Sequence, residues 1–179
     1  MKQLFFTLLV FNLSFSQSTT SVEKSIFGVQ TGILGIWMHN ETRLSDEISL
    51  RTELGLDFGI QGNDNSTTTA MIPSLRLEPR WYYNLEKRVK KGRKTANNSG
   101  NFLAVNTTYN PDWFIISNKD NVSIISTLAF VPKWGIKRTL GNHFTYEAGF
   151  GIGTFIVLND YEVDNKVAVD LHLRIGYTF

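Results

Sequence analysis

Between residues 48 and 60 the even positions are apolar and the odd positions polar or glycine. Ile48, Leu50, Leu54, Leu56, Phe58 and Ile60 fall on one face, and Ser49, Arg51, Glu53, Gly55, Asp57 and Gly59 on the other. A side-chain period of two is that of a β-strand. The same alternation returns four times. Over 71–84, Met71, Leu75, Leu77, Trp81 and Tyr83 oppose Ser74, Arg76, Glu78, Arg80 and Tyr82. Over 123–138, Ile124, Leu128, Phe130, Trp134 and Ile136 oppose Thr127, Ala129, Lys133, Gly135 and Lys137. Over 144–157, Phe144, Tyr146, Ala148, Phe150 and Ile152 oppose Thr145, Glu147, Gly149, Gly151 and Gly153. Over 167–179, Val167, Val169, Leu171, Leu173, Ile175, Tyr177 and Phe179 oppose Asp170, His172, Arg174, Gly176 and Thr178.

Weaker alternation marks two further strands, about 25–38 and 102–116. Turn-rich segments at 40–46, 61–69, 91–100, 117–121, 140–143 and 159–165 separate the strands,. One turn of helix is expected over Leu85–Lys91, and no other segment has a helical period,. The chain therefore reads as one all-β domain with antiparallel, sequentially connected strands.

Alternation alone fits a soluble sheet as well as a membrane barrel. Three features favour the barrel. The polar faces carry Arg51, Glu53, Asp57, Arg76, Glu78, Arg80, Lys133, Lys137, Glu147, Asp170 and Arg174, six positive and five negative, in mid-strand. Nearly balanced charge beside glycine suits the inside of a narrow closed barrel, where ions must pair. Aromatic residues gather at strand ends on the apolar face. With alternating strand directions and the last strand ending in the periplasm, Trp37, Trp81, Tyr83, Trp134, Phe144, Tyr146, Tyr177 and Phe179 fall at one rim. Tyr109 and Trp113 fall at the other, giving the two aromatic girdles of a transmembrane barrel,. The strands are also long enough for a tilted span of about 9–11 residues.

Composition removes several classes. The chain has no cysteine, so disulfides, thiolate metal sites and a cysteine lipid anchor are excluded,. A net charge of +2 gives no general attraction to nucleic acid,. Residues 1–16 read as a signal peptide: Lys2, an apolar run from Leu4 to Phe15, and small residues at Ser14 and Ser16,. Residues 17–179 would be the mature barrel.

The signal peptide, the alternating strands and the ending RIGYTF resemble the small outer-membrane β-barrels of Gram-negative bacteria, the OmpA/OmpX-like group, in a Bacteroidota-type version. The resemblance implies an antiparallel up-and-down transmembrane barrel of eight strands. It also implies that Gly176, Tyr177 and Phe179 serve recognition by the barrel-insertion machinery. Seven strands are visible, so the eighth is expected within Thr19–Gln30, ahead of the strand carrying Trp37,. An interior of this size is filled by its own side chains. The expected filling is the set of charges named above together with His172, with Glu147 as partner of Arg174.

No catalytic, cofactor or metal site is expected. His39 and His143 fall at turns on the periplasmic side, His172 falls in the lumen, and no serine is fixed beside any of them,. The basic run from Lys87 to Lys94 reads as a solvated periplasmic turn without the interleaved aromatics of a nucleic-acid site,. The expected role is structural or interactive, in a monomer whose partners are outer-membrane lipid and the insertion machinery. Segments 62–70, 117–121 and 159–166 are its outer loops. A lipid-modifying enzyme and a barrel carrying small or hydrophobic solutes are the alternatives.

Overall fold

A computed structural model of the chain describes residues 20–63, 66–120, 122–158 and 163–179. The expected signal segment 1–16 lies outside them. Nine antiparallel strands follow one another: β1 Ser25–Gly32, β2 Gly35–Arg43, β3 Ile48–Asn63, β4 Ser66–Trp81, β5 Asn101–Asn110, β6 Ile116–Ser117, β7 Thr127–Leu140, β8 Phe144–Leu158 and β9 Val163–Thr178. Eight of them close into a barrel in the order β1-β2-β3-β4-β5-β7-β8-β9, and β9 returns to β1. The two-residue β6 stands apart and adds to the far end of β4 at Ala70 and Met71. The only α-helix among the described residues is α1, Leu85–Lys90, a single turn and a half where one turn was expected.

The eighth strand lies where the odd count called for it, although the boundaries differ. The segment read as one strand over 25–38 is a hairpin, folded at Gly32-Ile33-Leu34-Gly35. Its tip is apolar, with Ile33 76% exposed, so it lacks the polar residues that announce a turn,. Gly35 makes the turn possible. Its φ is +147°, and a Cβ there would run into the carbonyl of Leu56,. The hairpin's second strand then continues through Asn40 and Glu41 to Arg43, residues expected in a turn.

Strand lengths are unequal. The β3–β4 hairpin pairs from Ile48↔Trp81 to Asn63↔Ser66, and β8–β9 from Phe144↔Tyr177 to Leu158↔Val163. At about 3.3 Å per residue, a 16-residue strand is about 50 Å long, well beyond what a bilayer span needs,. Most of 62–70 and the end of 159–166, expected as loops, are therefore paired strand that projects past the barrel.

The polarity of the molecule is inverted relative to a water-soluble protein. Side chains alternate around the wall, and those facing in are mostly polar while those facing out are mostly apolar,. Among the described residues, a cluster of buried apolar side chains, Val22, Tyr82, Leu85, Phe102 and Ala104, sits at the end of the barrel holding the chain's last residues. There the β4–β5 connection folds beneath the lumen.

Candidate functional site: the barrel interior

All twelve residues expected in the lumen face it: Arg51, Glu53, Asp57, Arg76, Glu78, Arg80, Lys133, Lys137, Glu147, Asp170, His172 and Arg174. They form one connected network. Glu147 is its hub. It accepts hydrogen bonds from Arg80 Nη2 at 2.9 Å, Arg51 Nη1 at 3.2 Å and Gln30 Nε2 at 2.9 Å. Glu78 pairs with Arg80 Nε and Lys133 Nζ, each at 2.6 Å. Glu53 takes Arg51 Nε at 2.5 Å, Arg174 Nη1 at 2.9 Å and Arg76 Nη1 at 3.3 Å. Asp57 closes the upper layer on Arg76 Nη2 at 2.6 Å, and Asp170 lies 3.3 Å from Lys133 Nζ.

The expected pair of Arg174 with Glu147 is not formed. The two residues are register partners on β8 and β9, but Arg174 reaches across the lumen to Glu53. Neighbouring side chains on one face of a sheet point the same way. In a narrow barrel a long side chain's tip reaches other strands as readily as its register partner, and Glu147 is already held by Arg80 and Arg51,.

The network contains an acid that the sequence did not reveal. Glu41 is fully buried and binds Lys137 Nζ at 2.8 Å, with Arg51 and Arg80 each 3.8 Å away. Together with Glu53, Asp57, Glu78, Glu147 and Asp170 it makes six carboxylates against Arg51, Arg76, Arg80, Lys133, Lys137 and Arg174. The interior network is thus neutral where the sequence reading left one excess positive charge. Glu41 was missed because the strand containing it read as a turn.

Below this layer the lumen is closed by a plug. Asn98 lies under the barrel with φ +57° and donates from Nδ2 to Glu41 Oε1 at 2.7 Å. Glu23 fastens the same loop from the chain's other end, accepting from Asn97 N at 2.6 Å while its own N–H donates to Asn98 Oδ1 at 2.7 Å. Arg88 was expected in a solvated turn. Instead it is buried and donates to the carbonyl of Lys94 at 2.8 Å, holding α1 against the loop. The other basic residues of 87–94 are exposed, as expected.

Two further corrections concern β2. Trp37, placed in the aromatic girdle by its sequence position, is 2% exposed inside the barrel. Its indole N–H donates to Asp57 at 2.8 Å, and Arg174 and Arg76 lie over its ring at 4.0 and 5.1 Å,. His39, expected at a turn, is buried in mid-strand. Splitting 25–38 into a hairpin fixes both, because the phase of β2 puts odd residues inside. The other girdle residues, Trp81, Tyr83, Trp113, Trp134, Tyr146, Tyr177 and Phe179, face outward. Trp134 donates to the Tyr83 hydroxyl at 2.8 Å, and Tyr177 stacks on His143 with Phe144 and Phe179 at its edges. Gly176 sits opposite Gln30, where a Cβ would meet that side chain.

Above the network the lumen widens into a cavity of about 770 Å³, floored by Trp37, Arg76, His172 and Arg174. The buried serines bond acids or backbone: Ser49 to Glu41 at 2.8 Å, Ser74 to Asp57 at 3.0 Å and Ser99 to the Lys137 carbonyl at 3.4 Å. His172 approaches Lys133 and Asp170 through Nδ1, at 3.5 and 3.4 Å. No protein-family model, curated protein or solved structure matches the chain. What the fold defines is its class: a closed, antiparallel, eight-stranded β-barrel with one short strand outside the wall.

Proposed function

We propose that this chain is a bacterial outer-membrane β-barrel with a structural or interaction role, working as a monomer with a lumen sealed by paired charge. One observation carries the reading: the apolar and charged faces are exchanged relative to a protein that folds in water. Leu54, Leu77, Leu103, Phe150, Leu171, Leu173 and Ile175 are exposed around the wall while six ion-paired cations fill the inside. Such a surface is costly in water and suited to hydrocarbon, and closure satisfies most of the wall's backbone groups there. The outward Trp81, Tyr83, Trp134, Tyr146, Tyr177 and Phe179 suit the interface at the plugged end,.

The sealed lumen favours this role over aqueous transport. Buried serines that bond acids and backbone favour it over acyl transfer, which needs a serine beside its base,. Recognition by the insertion machinery through Gly176, Tyr177 and Phe179 belongs to the same reading. The test is electrophoresis of the outer-membrane fraction with and without boiling. A band there that migrates differently after boiling is the expected result. A soluble protein with no shift would overturn the reading. Lipid A mass spectra from cells with and without the protein are expected to be identical.

A further inference from the structure

The barrel wall has a notch. β1 pairs with β9 only from Gly28↔Thr178 to Gly32↔Arg174, and β2 with β3 only from Arg43↔Ser49 to Gly35↔Asp57. β9 continues past Arg174 to Val163, and β3 past Asp57 to Asn63. The turn of the short β1–β2 hairpin is itself tied to β3, by a bond from Phe58 N to the Leu34 carbonyl at 2.7 Å. Beyond that turn, among the described residues, the facing backbone edges of β9 and β3 form no ladder with each other.

The 770 Å³ cavity lies behind this notch and runs through it. Its lining takes residues from both sides of the wall: outward-facing Leu34, Phe58 and Leu171, and lumen-facing Trp37, Arg76 and Arg174. The apolar mouth is continuous with the exposed Ile33, Val169 and Leu173. The volume falls within the ~300–1,000 Å³ of small-molecule sites,. A tilted strand crosses the hydrocarbon in about 9–11 residues, which from Thr178 carries β9 to about Val169,. The notch opens from Leu173 upward, so it faces the half of the bilayer far from the plug.

From this we infer that the cavity binds an acyl chain of a membrane lipid, which enters sideways through the notch between β9 and β3. The inference rests on the transmembrane reading above. The chemistry selects a chain over an anionic head. Both arginines of the floor are ion-paired, Arg76 with Asp57 and Arg174 with Glu53, and Asp57 and Asp170 share the lining with them, so the cavity offers an anionic head no net positive charge. Trp37, Val131 and Ala168 offer apolar contact inside. The open β9 edge supplies N–H and C=O groups at the mouth, suited to a lipid's ester or amide linkage, since open strand edges at membrane depth persist only where a polar partner or cavity meets them.

The test uses Trp37 as its reporter, in the full chain with Trp81, Trp113 and Trp134 replaced by Phe. The protein is refolded into phosphatidylcholine vesicles with bromine on the acyl chains. A chain in the cavity would touch the Trp37 ring at about 4 Å, so its fluorescence is expected to be roughly halved relative to unbrominated vesicles. Adding A129F and A168F, which fill the cavity from the lumen side, is expected to restore it. Equal emission in both vesicles, from protein that shifts on boiling, overturns the inference and leaves the barrel reading intact. Quenching that survives A129F/A168F also overturns it, since bromine would then act through the wall. Absence of the boiling shift overturns both. If the Phe replacements prevent folding, the wild-type chain and its A129F/A168F variant are compared in the same vesicles, and equal quenching of the two overturns the inference.

Discussion

Glu147 is the residue on which most of the interior depends. Two arginines and Gln30 converge on one carboxylate, with Lys137 3.9 Å away. Desolvating a charge costs several kcal/mol, and the pair is tolerable only while both partners stay. The substitution E147Q keeps the shape and removes the charge, leaving Arg80 and Arg51 with excess positive charge in a sealed lumen. It is expected to lower stability by about 3–5 kcal/mol, read as a drop in the urea midpoint of the refolded protein. The exposed pair of Glu86 with Lys90 on α1 is the control. E86Q is expected to leave the midpoint unchanged, because an exposed pair gains little from attraction in water.

At the scale of elements, the strands solve a packing problem by register. Four rings that point inward sit across the ladder from a glycine: Trp37 from Gly55, His39 from Gly28, Phe102 from Gly135 and His172 from Gly149. At each glycine an added Cβ would land on the ring. The ring lies flat over its neighbour, which is the room an eight-stranded interior otherwise lacks. G55V is therefore expected to destabilise by about 1–3 kcal/mol through forced displacement of Trp37. G59V, four residues along on the same face with nothing within 4 Å, is expected to be tolerated. Urea midpoints of the two variants check the contrast. On β8, Gly149 makes room for His172 and Gly151 for Lys133.

The same elements show what a sequence can carry. Strands with one lipid-like and one charged face were legible because period-two alternation needs no knowledge of partners, and all twelve lumen residues follow from it. The β1–β2 hairpin was not legible, because its turn is Ile33-Leu34 between two glycines and resembles continuing strand. That single misreading moved Trp37 to the wrong side of the wall and hid Glu41. Which charge meets which was also out of reach, since Arg174 finds Glu53 across the lumen, 121 residues away. The plug escaped for a different reason: Asn97 and Asn98 act through left-handed backbone and long-range bonds, which leave no periodic trace.

For the whole molecule, the consequence is a cup. The plug closes one end, the six-and-six network fills the middle, and the upper cavity is open. Two seals in series mean that ions have no path through, and planar bilayers containing the wild-type protein are expected to show no conductance steps. Neutrality and dryness also determine how the barrel responds to salt. Raising the salt shortens the screening distance from about 10 Å at 0.1 M to about 3 Å at 1 M, which weakens pairs that water reaches and spares those it does not. The side chains of Glu41, Arg51, Arg80, Lys137 and Glu147 have no exposed surface. The urea midpoint in uncharged detergent is therefore expected to be no lower at 1 M than at 0.1 M sodium chloride. A falling midpoint, or conductance steps in the bilayer, would show that water and ions enter the middle layer and that the lumen is a wet channel lined by exchangeable pairs.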